Sequence, residues 1–103
     1  LRSENAHFTA LACANDDMAA GAMLALHRAG IAIPDPVSVT GFDDTPMSEI
    51  IWPPLTTMRQ PIKQLAERAV HLLVGPEPRE GEAPPNELID HELIVRSSTA
   101  CVL

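Results

Sequence analysis

The sequence predicts an α/β fold, a parallel sheet with flanking helices, and three observations carry that expectation. Residues 8–14 (Phe-Thr-Ala-Leu-Ala-Cys-Ala) form a continuous run of small and apolar side chains, as a buried parallel strand requires. Residues 37–42 (Val-Ser-Val-Thr-Gly-Phe) form a second, β-branched run with period two. Between them lies an almost unbroken stretch of helix formers, so strand, helix and strand follow one another as in a βαβ unit with a right-handed crossover.

The first strand ends at Asn15-Asp16-Asp17. Asn15 or Asp16 can cap the helix expected over 16–29, and the acids suit its positive end. Met18, Ala19, Ala20, Ala22, Met23, Leu24, Ala25 and Leu26 fill that helix, His27 and Arg28 close it, and Gly30 stops it. A helix this apolar needs cover on more than one side. Gly21 in its middle costs about 1 kcal/mol relative to Ala, which suggests close packing against a neighbour.

Ile33-Pro34-Asp35-Pro36 reads as an extended loop, and the second strand follows it. That strand opens into Asp43-Asp44-Thr45-Pro46, good helix-starting chemistry in which the acids can serve as caps and nothing more. Residues 47–52 allow about two helical turns before Pro53-Pro54 (3.6 residues per turn). Residues 55–59 read as a third strand. After Gln60-Pro61, Ile62, Leu65, Ala66, Ala69, Val70 and Leu73 recur at helical spacing, with Lys63, Gln64, Glu67, Arg68 and His71 opposite. A polar, proline-rich loop over 75–87 and a last strand within 91–99 complete the pattern.

Composition narrows the function. The 103 residues allow one domain at most, 46% are apolar, and only three are aromatic, so the core is aliphatic. The formal charge is −7 with no basic cluster, which argues against this segment gripping nucleic-acid phosphates. No apolar run is long enough to span a bilayer. The start has neither signal-peptide form nor an initiator Met, as expected of the middle of a longer chain. Cys13 and Cys101 are read as thiols rather than a disulfide. The four histidines share no metal-ligand spacing, so neither metal nor cofactor is called for.

Asn15 and Asp43 stand at the carboxyl ends of two strands joined by one crossover, where open α/β sheets bind ligands. Neighbouring strands lie about 4.8 Å apart, so the two side chains would share a crevice. An ionised carboxylate accepts two hydroxyl donors, and the Asn amide both donates and accepts. The pair suits vicinal hydroxyls on a sugar or ribose, or the donors of a nucleobase. No nucleophile with an oriented base accompanies it, so the site binds rather than reacts.

Asn15-Asp16-Asp17-Met18-Ala19-Ala20-Gly21-Ala22, then Ile33-Pro34-Asp35-Pro36-Val37-Ser38-Val39-Thr40-Gly41-Phe42-Asp43-Asp44-Thr45, then Pro53-Pro54-Leu55-Thr56-Thr57-Met58-Arg59-Gln60-Pro61 resemble the LacI/GalR family of bacterial transcriptional regulators. The likeness runs from about Thr9 to Leu73, with an echo in Val95-Arg96-Ser97-Ser98-Thr99. It implies that residues 1–103 are the C-terminal fragment of an effector-binding and dimerisation domain, shaped like a type I periplasmic binding protein. It implies a cytoplasmic homodimer that senses a sugar, nucleoside or nucleobase and reaches operator DNA only through an N-terminal part preceding Leu1. Asn15 and Asp43 become effector contacts, with Phe42 and Gln60 near the site and Gln60 at a subdomain crossover. Ala20, Met23, Leu24, Ile51 and Trp52 become candidate dimer-interface residues, Trp52 being read as a packing residue rather than a sugar stacker. The rival reading is a secreted sugar-binding protein of a transport system; an enzyme would need catalytic residues or a glycine-rich phosphate loop.

Overall fold

The structure, a computed structural model, describes residues 7–77, 79–82 and 86–102. The chain's first residues and part of the proline-rich 75–87 stretch therefore lie outside the described residues. The elements follow the order β1 (Ala10–Ala12), α1 (Asp16–Arg28), β2 (Ser38–Thr40), α2 (Met47–Ile50), β3 (Thr57–Arg59), α3 (Ile62–Val74) and β4 (Glu92–Ile94). The backbone divides into two compact units, one reaching to Arg59 and resuming at Leu93, the other spanning Gln60–Glu92.

In the first unit β1 and β2 pair in parallel, with Ala10 opposite Ser38, Leu11 opposite Val39 and Ala12 opposite Thr40. Parallel bridges continue from β2 to the next segment, Thr40 to Thr56 and Asp43 to Arg59. β2 is thus the inner strand and β1 the edge, so the expectation of a fully buried first strand is corrected: Ala10 and Ala12 are exposed and only Leu11 turns partly inward. A continuous apolar run fits burial on both faces but does not say how many neighbours a strand has.

α1 forms as its caps dictate. The Asn15 side chain accepts from the Met18 amide at 2.8 Å, Asp16 and Asp17 occupy the first turn, and Gly30 leaves the helix with φ +75°. Asp16, Ala19, Met23 and Leu26 form its buried face, and the three apolar ones pack with Val37, Val39 and Leu55 into the core. Met23 is 2% exposed, so it belongs to that core and not to an outward stripe. Gly21 is exposed and a Cβ there would meet nothing within 4 Å, so no close packing explains it here. Cys13 and Cys101 are free thiols.

α2 is one turn rather than two. Its N-cap is Pro46, with no side-chain cap bond. The chain near its end is stitched back between β2 and the start of β3. Ser98 is fully buried; its hydroxyl donates to the Val39 carbonyl at 2.5 Å and accepts from the Thr56 amide at 2.8 Å, while its carbonyl accepts from the Val39 amide at 2.9 Å. One serine satisfies backbone groups of two strands that would otherwise be orphaned.

The second unit holds α3, which has no buried residue; Arg68 forms a bidentate ion pair with Glu87. Among the described residues no helix is long and apolar enough to cross a membrane.

Candidate functional site

The carboxyl ends of β1 and β2 are tied directly together. The Cys13 amide donates to the Thr40 carbonyl at 2.9 Å and the Asp16 amide to the Phe42 carbonyl at 3.0 Å. That pairing carries Asn15 and Asp43 to the same end of the sheet. Asn15 is half-buried and its side-chain oxygen already caps α1, so the group it presents outward is the amide nitrogen, a donor. Asp43 is exposed, and its own amide donates to the Met58 carbonyl at 2.9 Å. Phe42 is half-buried beside it. Gln60 begins the second unit, where its carbonyl accepts from the Ile62 amide at 2.9 Å.

The backbone turns sharply here. Asp43 has φ +114° and Asp44 φ +55°, two consecutive non-glycine residues on the left-handed side of the map. Each costs of order 1–3 kcal/mol and persists only where its surroundings impose it. Two carboxylates impose it. Asp16 is fully buried and accepts from the Thr45 amide (2.7 Å), the Thr45 hydroxyl (3.0 Å) and the Thr57 hydroxyl (2.6 Å). The Thr57 oxygen also accepts from the Asp44 amide at 3.3 Å. The second carboxylate is Asp44, which accepts from Arg59 (2.7 Å), Arg96 (2.6 Å) and the Ser48 hydroxyl (3.0 Å). Arg96 also donates to the Ser48 hydroxyl (2.8 Å) and the Leu55 carbonyl (2.9 Å) and reaches Glu49 at 3.5 Å.

The reading of Asp43 and Asp44 as helix caps is corrected by this geometry: Asp44 is an ion-pair hub. Burial alone would raise its pKa. The hydrogen bonds from Arg59, Arg96 and Ser48, and the Arg96 charge, outweigh burial and lower it from 3.8 to about 2. A depressed carboxylate stabilises the fold fully above its unfolded pKa, and that contribution fades as pH falls towards the folded one. Acid titration of the denaturant midpoint should therefore lose about 2 kcal/mol of stability between pH ~4 and pH ~2 through this group. An Asp44→Asn variant should lack that part of the acid limb; an unchanged limb would remove Asp44 as its source.

Asp16, Arg96 and Ser98 were not singled out as site-building residues by sequence reasoning. The signals were present: a third polar residue in Asn15-Asp16-Asp17, and Arg96-Ser97-Ser98-Thr99 breaking an apolar strand. Gly41 gave another, since a Cβ there would overlap an Asp16 carboxylate oxygen and come within 2.8 Å of Leu55. Among the described residues no cluster of His, Cys, Asp and Glu could hold a metal ion.

The candidate interface residues fare unequally. Leu24 is 52% and Trp52 79% exposed, Ala20 and Ile51 are half-buried, and Met23 is withdrawn into the core as described. Ile50, not anticipated, is as exposed as Trp52.

Residues 2–99 match the family described as periplasmic binding protein-like domain. The HTH-type transcriptional regulator MalR of Streptomyces coelicolor is 44% identical over 96 residues, covering 89% of this chain and 27% of that protein. A sugar-binding transcriptional regulator of the LacI family from Escherichia coli, solved with phosphate, superposes with TM-score 0.78 at 34% identity, over 94% of this chain and 34% of its own. The lac repressor dimer bound to operator and the anti-inducer ONPF gives TM-score 0.79 at 33% identity, over 97% and 35%. The chain thus spans about a quarter to a third of the length of these relatives. These likenesses, the α/β core and the motif order through Asn15, Gly41-Phe42-Asp43-Asp44 and Pro53-Pro54 agree: the chain belongs to the periplasmic binding protein-like domain family, in the form found in LacI/GalR-type regulators.

Proposed function

We propose that this chain is the effector-sensing and dimerisation portion of a cytoplasmic bacterial transcription regulator, with operator DNA read by a part of the polypeptide outside this sequence. The carrying observation is the parallel pairing of β1 with β2, which brings the Asn15 donor and the Asp43 acceptor to one end of the sheet. A donor beside an anionic acceptor fits a polyhydroxylated ligand, a sugar or the ribose of a nucleoside. Asn15 and Asp43 are the proposed contacts, and Phe42 is the apolar neighbour that would lie against the ligand's ring. The nature of the relatives favours a regulator over a transport receptor, and they are not enzymes. Effector binding acts through its different affinity for two arrangements of the whole protein.

A thermal-shift screen of the full-length protein tests this reading. Neutral mono- and disaccharides or nucleosides should raise the midpoint, because a ligand at a hundred times its Kd adds about 2.7 kcal/mol. Stabilisation by amino acids or metal ions alone would overturn it.

The proposed dimer surface comprises the exposed Leu24 and Trp52 with the half-buried Ala20 and Ile51, since exposed large apolar side chains can mark an interaction site. The full-length protein should sediment as a dimer at micromolar concentration, and Trp52→Glu should shift it towards monomer. A wild-type monomer would discard this surface.

A further inference from the structure

We infer that Asp16 is a positioning residue whose buried carboxylate holds Asp43 in the backbone conformation that presents it to the effector. The inference rests on the reading of Asp43 as an effector contact and adds to it the device that aims that side chain. On one side of Asp43, Phe42 is tied to the Asp16 main chain; on the other, Thr45 is tied to the Asp16 carboxylate directly and Asp44 through Thr57. The Asp16 amide holds the Phe42 carbonyl at 3.0 Å; its Oδ2 holds the Thr45 amide at 2.7 Å and the Thr45 hydroxyl at 3.0 Å. Its Oδ1 accepts at 2.6 Å from Thr57, whose oxygen in turn accepts from the Asp44 amide at 3.3 Å. Asp43 is therefore gripped on both sides, and its φ of +114° lies between fixed points. Gly41 belongs to the device, because a Cβ there would occupy the space of the Asp16 carboxylate. Asp16 is fully buried and touches the loop only from beneath, so it acts through Asp43 and not on the ligand.

The test compares crystal structures of the full-length protein carrying Asp16→Ala, Thr57→Val or Thr57→Ser, together with calorimetric titration of each with D-galactose. Thr57→Val keeps the shape of the buried side chain and removes only the relaying hydroxyl, so it decides the matter should Asp16→Ala not fold. The expected result is that Asp16→Ala and Thr57→Val let Asp43 and Asp44 leave positive φ. The same variants should bind D-galactose about tenfold more weakly, with Thr57→Ser restoring both readouts. An unchanged Asp43 backbone in folded Thr57→Val would overturn the inference, as would a moved backbone that Thr57→Ser does not restore. Should the wild-type protein bind no D-galactose, the backbone comparison still decides the role of Asp16, and the titrations pass to whichever sugar or nucleoside stabilises the wild type.

Discussion

Asp16→Ala should lower the stability of the full-length protein by roughly 3–5 kcal/mol, the largest effect expected of any single polar substitution in this chain. The carboxylate is fully buried and accepts three hydrogen bonds, two of them from hydroxyls and one from a backbone amide. Truncation strands these donors in a dry site, and an unsatisfied buried donor costs about 1–3 kcal/mol. It also frees the strained turn at Asp43 and Asp44, a relief that returns part of the loss. The control is Asp17→Ala. Asp17 is exposed in the same first turn of α1, where it favours the helix dipole by less than about 1 kcal/mol. Urea unfolding of the two variants measures the contrast. Equal shifts would mean that Asp16 is no more than a second dipole partner.

The contrast between Asp16 and Asp17 also shows where sequence reasoning stops. The Asn-Asp-Asp run identified a strand end and a helix cap, and Asn15 does cap α1. Which of the three polar residues turns inward depends on the phase of the helix against β2 and on the room that Gly41 leaves, neither of which is a local property. The helices were legible because their apolar positions recur at helical spacing, and α1 and α3 end within one residue of the expected limits. The strands were legible as segments, but each is shorter than its apolar run, and β1 lies at an edge rather than in the middle. The Asp44 hub was beyond sequence reasoning for a different reason. Its more buried partner, Arg96, is 52 residues away and arrives because Ser98 and its neighbours fasten the returning chain to β2 and to the Thr56 backbone and side chain.

The second large effect concerns ligand rather than fold. Asp43 is exposed and lies at the end of β2, so replacing it removes little packing. What Asp43→Ala takes away is an anionic acceptor, and a hydrogen bond to a charged group contributes about 1.5–3 kcal/mol. Effector affinity should therefore fall roughly ten- to 150-fold, since each 1.4 kcal/mol is a factor of ten. The fold should stay intact, with stability lowered by about 1 kcal/mol because Ala replaces Asp at φ +114°. Calorimetric titration of full-length wild type and Asp43→Ala, with the sugar or nucleoside that stabilises the wild type most, tests the central claim directly. A loss of at least tenfold in affinity with the fold intact places the carboxylate in the effector site. Equal affinities would mean that the ligand binds elsewhere and that the strand ends of β1 and β2 are not the site.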